Sequence, residues 1–389
     1  MFLTLITFFA ILGLLVLVHE AGHFTAARRA GVKVEEFGLG LPPRIFGFYK
    51  NQEGKWKPVG LKTKEAASTI WSLNWVPLGG FVKIKGEEGQ ASADSDSFAH
   101  KSVLQRIWII SAGVLMNVIL AVILLSISLA AGSPQIISET DLRAGAKIKE
   151  DKIRILEVLP NSPAQKAGLE VADSILEVDG QPFKKIEGLQ DYMDQKVGSS
   201  ITLKIERKDE ILIKEVTPEI LAETNRGGMG VALVKTGIIS YPWYLAPWYG
   251  FLETMKMIGG IISGLYLVFK SLITSRELIG EVYGPVGIAG LVGDAVKLGF
   301  LYILQLTAAL SVIIAVINFL PFPALDGGRV FFLLIEGLRG KPVNQRLETL
   351  MHNIGFALLM ILVVIVTFRD IARISSGFLG WWQKISGLF

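Results

Sequence analysis

The chain reads as a polytopic α-helical membrane protein of about four spans that carries one small β-rich domain on its outer side. Three observations lead there. Its 389 residues are 51% hydrophobic and only 19% charged, with a mean hydropathy of +0.48, a balance found in integral membrane proteins rather than soluble enzymes. Apolar runs at Phe2 to about Ala27, Leu104 to about Ala131 and Leu298 to Leu320 are each long enough to cross a hydrocarbon core of roughly 30 Å as helix. Between the second and third, residues 135–218 switch to short alternating stretches separated by turn residues, the pattern of strands.

The first run carries no basic n-region or cleavage site and passes straight into HEAGH, so it is read as a retained span and not a signal peptide. Arg28, Arg29 and Lys33 follow it, and Lys101 and Arg106 precede the second run. The positive-inside rule therefore places the 28–103 connection in the cytoplasm and the N-terminus outside. The same topology puts 133–297 outside. A fourth run, Ile354 to Phe368, extends back through Leu347 to span length. Arg329, Arg339, Lys341 and Arg346 then lie inside, and the tail GFLGWWQKISGLF reads as interfacial. In the outer segment, KIRILEVL, DSILEVDG, ITLKIERK and EILIKEVTP read as strands and EGLQDYMDQK as a short helix. The stretch Phe251 to Ile273 contains Glu253, Lys256 and Lys270. It could span, but a fifth crossing would put the later elements on the wrong side, so a helix against the membrane surface is expected.

A net charge of +4 and a pI near 9.0 come from residues that flank apolar runs, which fits membrane orientation and points to no nucleic-acid partner. The absence of cysteine excludes disulfides, thiolate catalysis and cysteine-based zinc sites. The four histidines include His19 and His23, which bracket Glu20 near the end of the first run. Ionisable groups in a span cost on the order of 3 kcal/mol each and mark function. One helical turn apart, the two imidazoles share a face and can hold one Zn²⁺, with Glu20 beside them as general base. His19 is seventeen rises of 1.5 Å from Phe2, about 26 Å along the helix and so towards the cytoplasmic side.

Such a site needs a third ligand, and INFLPFPALDGGRV at 317–330 offers one. Pro321 and Pro323 break the third span, Gly327 and Gly328 allow a tight turn, and Asp326 lands on irregular backbone at the cytoplasmic end. Backbone of that kind at membrane depth persists only inside protein or beside water.

These residues carry a resemblance to the site-2 protease family of intramembrane zinc metalloproteases, in particular its bacterial regulator-of-sigma-E type. It runs in order through His19-Glu20-Ala21-Gly22-His23, then Ser111-Ala112-Gly113-Val114-Leu115-Met116-Asn117, a PDZ-like domain, Gly284-Pro285-Val286-Gly287-Ile288, and Asn318 to Gly327 in the pattern NxxPxPxLDG. The resemblance implies His19, His23 and Asp326 as zinc ligands and Glu20 as the catalytic acid/base. It adds Asn318 as a holder of substrate backbone, which could equally make an interhelical hydrogen bond. Asn117 is assigned to packing. The stretch Trp71 to Glu87 resembles the family's membrane-re-entrant β-hairpin. In it Gly79 and Gly80 suit a turn between apolar arms and, with Phe81, are taken as substrate-binding, because an extended substrate strand could add to a sheet edge. VLPNSPAQKAGLEVADSILEVDGQPF resembles a PDZ core, with Ala172 where a glycine is usual. A non-glycine there is expected to fold with negative φ.

The expected architecture is therefore about four transmembrane helices with a cytoplasmic re-entrant β-hairpin and one extracytoplasmic PDZ-like α+β domain. Residues 1–132 hold two spans and the 28–103 β region, 133–220 the PDZ-like domain, 221–297 an outer or interfacial helical connector, and 298–389 the last two spans with the LDG motif. The implied activity is zinc-dependent endoproteolysis of transmembrane segments of single-span proteins, such as anti-sigma factors or remnant signal peptides, in the bacterial cytoplasmic membrane. The PDZ-like domain would bind a peptide or exclude bulky substrates; the sequence leaves both open.

Overall fold

In the computed structural model, which describes residues 2–60, 66–87, 94–137, 143–207, 210–221, 226–274 and 283–386, the first apolar run is the helix α1 (Phe2–Arg29). Arg28 and Arg29 in its last turn complement the helix dipole. The chain then turns at Gly31, whose φ of +68° suits a helix end. Three strands follow, β1 (Val34–Lys50), β2 (Trp56–Val59) and β3 (Ile70–Ile84), in the order β2-β1-β3. The register departs from a simple hairpin. Glu36 is partnered by both Lys83 and Ile70, and Leu39 by both Gly80 and Leu73. The two halves of β3 thus lie on opposite sides of the first half of β1. Gly79 and Gly80, expected to turn between directly paired arms, instead join arms that another strand separates. The second span is α2 (Val103–Ala131). Ala26, Ala27, Val34, Ile84, Ile109 and Ile110 form one buried cluster that fixes the sheet against α1 and α2.

Residues 127–246 form a compact unit of their own. Its elements are β4 (Ser133–Ile136), β5 (Lys147–Val158), α3 (Pro163–Lys166), β6 (Ser174–Val178), α4 (Ile186–Gln195), β7 (Ile201–Arg207), β8 (Glu210–Val216), β9 (Glu219–Leu221), β10 (Arg226–Gly228) and β11 (Val231–Ser240). Six of the strands make one antiparallel sheet in the order β4-β11-β5-β6-β7-β8. A domain limit at 220 falls too early, because β11 pairs between β4 and β5. The core joins Ile153, Ile155, Ile175 and Leu203 of the sheet to Leu189 and Met193 of α4. α3 starts at Ser162, whose Oγ accepts a hydrogen bond from Gln165 N.

Ala172 departs from its expected backbone: its φ is +74°, while its N–H donates to Ile155 O at 2.8 Å. The left-handed region costs an L side chain roughly 1–2 kcal/mol, partly offset on changing to glycine by a floppier unfolded chain. Ala172→Gly is expected to stabilise this unit by about 0.5–1 kcal/mol, read as a higher urea midpoint for its unfolding with an unchanged slope.

The remaining helices are α5 (Ala246–Thr274), α6 (Pro285–Leu298), α7 (Phe300–Asn318), α8 (Asp326–Arg339) and α9 (Gln345–Ser386). Among the described residues five helices, α1, α2, α5, α7 and α9, have the length and apolarity of a span, one more than expected. α5 is the least apolar of them. Its Met257, Ile258, Ile261 and Leu265 pack against Ala121 and Leu124 of α2 and Leu304 and Ala308 of α7, so its partners are two spans. The expected interfacial tail continues as helix α9 to Ser386, and residues 387–389 lie outside the described residues.

The Gly284-to-Ile288 motif acquires a reason. Gly287 N–H donates to Asp370 Oδ2 of α9 at 2.7 Å, and a Cβ at Gly284 or Gly287 would fall within 2.8–3.1 Å of the Asp370 carboxylate. The two glycines let α6 begin directly against that buried acid. α8 is tied down by ion pairs of Arg329 with Glu87 and of Glu336 with Arg106 at the start of α2.

Candidate metal centre

His19 and His23, both buried, project from one face of α1, and Asp326 opens α8 directly after the α7–α8 turn. The three converge. His19 Nε2 lies 3.0 Å from Asp326 Oδ2 and 3.1 Å from His23 Nε2, and His23 Nε2 lies 3.4 Å from Asp326 Oδ2. Tetrahedral bonds of about 2.0–2.1 Å hold their ligand atoms about 3.3 Å apart. The triangle therefore has the edge length that one Zn²⁺ would require, with two nitrogens and one oxygen as donors.

The partners behind the imidazoles fix which nitrogen faces inward. His23 Nδ1–H donates to Ile109 O of α2 at 2.9 Å, which leaves Nε2 free. The Asn117 amide nitrogen Nδ2 lies 3.3 Å from His19 Nδ1, and its Oδ1 is buried without a hydrogen-bond partner. A histidine giving Nε2 to a metal keeps its proton on Nδ1, and the unpartnered Asn117 Oδ1 supplies the acceptor for that proton once the amide is turned over. Asn117 is fully buried and its own backbone O accepts from Ser311 Oγ of α7 at 2.7 Å. Its expected packing role is therefore joined by a second one, orienting His19. The signal was present in the sequence as a lone amide in an apolar run.

Two glycines allow α1 and α2 to meet closely enough for this. A Cβ on Gly22 would sit 2.3 Å from Ala112 O, and one on Gly113 would sit 2.4 Å from His23 Nε2.

Glu20 stands on the same turn as the histidines and outside the triangle. A Cβ on Gly80 would lie 3.7 Å from Glu20 Cγ and 3.5 Å from Val16 Cγ1, so the outer half of β3 passes beside it. Gly79, at φ +87°, is in reach of Val16 as well. Phe81 turns away, with its ring covering the Cα of Gly38, where a Cβ would meet it at 2.4 Å. Of the three expected substrate-binding positions on β3, the structure brings Gly79 and Gly80 to the centre and uses Phe81 to pack the sheet. Asn318 is the last residue of α7, half-buried, with no side-chain hydrogen bond among the described residues.

Known proteins resemble this chain over nearly its whole length. Peptidase family M50 matches residues 7–362. A protein of Clostridium perfringens named as a putative zinc metalloprotease is 35% identical over 358 residues, covering 92% of this chain and 95% of that one. The regulator of sigma-W protease RasP of Bacillus subtilis is 27% identical over 456 residues, covering 95% of this chain and 99% of its own. Among solved structures, the PDZ domain of an SdrC-like protein from Listeria innocua is 25% identical with a TM-score of 0.20, covering 21% of this chain and 92% of that one. With a family match of that extent, the chain belongs to Peptidase family M50 and is a multi-pass membrane zinc metalloendopeptidase.

Proposed function

We propose that this chain cuts peptide bonds within or beside the transmembrane segment of single-span membrane proteins, with His19, His23 and Asp326 holding Zn²⁺ and Glu20 as the acid/base. The observation that carries the reading is the triangle of two imidazole nitrogens and one carboxylate oxygen, 3.0–3.4 Å on its edges, formed near the end of a membrane-length helix. Zinc bound there supplies Lewis acidity, polarising a carbonyl and lowering the pKa of a water to about 7. Glu20 takes the proton of the attacking water and passes it to the leaving amine. Ile109 O keeps His23 in the tautomer that leaves Nε2 free, and Asn117, with its amide turned so that Oδ1 meets Nδ1–H, would do the same for His19.

Substrate would enter as an extended strand. A transmembrane helix must give up its intrahelical hydrogen bonds before any carbonyl can be attacked, and a sheet edge replaces them. The outer half of β3, from Gly80, supports this assignment because it runs beside Glu20 and is paired to β1 on one side. Asn318, with no side-chain hydrogen bond among the described residues, is assigned to the substrate backbone. The basic residues around 28–106 and 329–346 support a centre near the cytoplasmic face of a bacterial cytoplasmic membrane, with the N-terminus and β-rich unit outside and α5 lying against its neighbours without crossing. Anti-sigma factors and remnant signal peptides are the proposed substrate classes, the former in keeping with the name of the Bacillus subtilis relative. The PDZ-like unit acts on them outside the membrane, by binding an exposed end or excluding bulky domains.

The test is metal removal. Full-length protein reconstituted with a single-span substrate is expected to lose cleavage on chelation and regain it with stoichiometric zinc, with mass spectrometry placing the cut in the apolar segment. Cleavage that survives complete demetallation, or a cut confined to the soluble part, would overturn the reading.

A further inference from the structure

The aim of Asp326 depends on the turn that precedes it, residues 319–325. Pro321 and Pro323 have no N–H with which to anchor that turn, and Ala324 adopts φ +79°, a left-handed conformation that disfavours a side chain. The group that holds Ala324 comes from α9: its N–H donates to His352 Nδ1 at 2.9 Å. About one helical turn on, Gly355 lies flat against Pro323, where a Cβ would come within 2.4 Å of the Pro323 carbonyl oxygen. The His352 ring also packs beside Phe332 of α8, 6.0 Å between centroids. Thus one face of α9 touches both the turn and the helix that Asp326 begins. Because Nδ1 accepts, the ring proton sits on Nε2, and Nε2 is buried without a partner. The imidazole is therefore oriented by the turn and is no part of the ligand triangle.

We propose that His352 is a positioning residue for the metal ligand Asp326, holding Ala324 in the left-handed turn that points the carboxylate at His19 and His23. The proposal rests on the assignment of zinc to those three residues.

Zinc affinity of the purified full-length chain, measured by competition with a chelator, tests it without any substrate. His352→Asn puts a carbonyl oxygen about where Nδ1 sits and is expected to stay within a few-fold of wild type. His352→Gln puts its polar atoms where Nε2 sits, and His352→Leu has none; both are expected to weaken zinc binding by about 10–100-fold, as loss of an outer-sphere partner does. Ala324→Gly added to His352→Leu should recover part of the loss, because glycine adopts this φ freely. A ring that merely fills space predicts none of this: equal affinities for the Asn and Gln variants, or no recovery with Ala324→Gly, would overturn the proposal even if the Leu variant did not fold. Asp326→Ala separates the two layers. If it binds zinc as wild type does, the ligand set is wrong; if it loses zinc while His352→Gln keeps it, only the positioning role is wrong.

Discussion

Glu20→Gln is expected to lower kcat by about 10³-fold, the typical worth of a positioned acid/base group, while the protein keeps its zinc. The reason lies in where Glu20 stands. It shares the turn of His19 and His23 yet belongs to no edge of the ligand triangle, whose three sides are closed by His19, His23 and Asp326 alone. Glutamine keeps the shape and removes only the ability to accept and return a proton. KM for a single-span substrate should barely change, since the half of β3 beside Glu20 is held through β1. The decisive comparison is metal content against turnover: a variant with full zinc and wild-type kcat would take Glu20 out of the chemistry, and one that lost its zinc would make it a ligand.

The centre was legible in the sequence because its chemistry is expensive to place in lipid. Two histidines and a glutamate in an apolar run, and an aspartate on proline-broken backbone at the end of another, have few reasons to exist apart from each other. The limits of α1, α2 and α7 were readable for the same reason, since continuous apolar runs leave little choice of element. The features that stayed hidden depend on pairs of residues far apart in sequence. β3 was expected to fold on itself, and nothing in Trp71 to Glu87 announces that residues 34–39 would lie between its halves. β11 was left out of the outer domain because its alternation is weak and its partners, β4 and β5, open the unit that β11 closes. Asn117 reads as a packing residue, and Gly113 as no more than part of a motif, until α1 is laid across α2. Ala324 carries no local sign of its positive φ and Ala172 only its place at a usual glycine; the bonds to Ile155 O and His352 Nδ1 hold the two backbones in that conformation.

Gly113→Ala is expected to weaken zinc binding at least 100-fold and abolish cleavage, although it adds one methyl group and improves helix propensity. The added carbon would fall 2.4 Å from His23 Nε2 and 2.9 Å from His19 Cε1, on the ring atoms that face the metal. His23 cannot swing aside without giving up its bond to Ile109 O, 2.9 Å away on the same helix α2. Nor can α2 slide away freely, because Gly22 already rests against the Ala112 carbonyl and Asn117 is bonded to α7 through Ser311. Overpacking of a buried site costs about 1–3 kcal/mol, enough to distort a ligand triangle and too little to unfold the chain, so zinc content should collapse while the melting transition shifts modestly. Gly13→Ala is the control. It lies on the same helix as the histidines with open space around it, and it should leave both zinc and activity unchanged. If Gly113→Ala also retained wild-type zinc affinity, the close crossing of α1 and α2 would not be what shapes the centre. The crossing matters because His19 and Asp326 stand 307 residues apart in the chain, and only a glycine-lined contact lets the rings on α1 reach past α2 to the aspartate on α8.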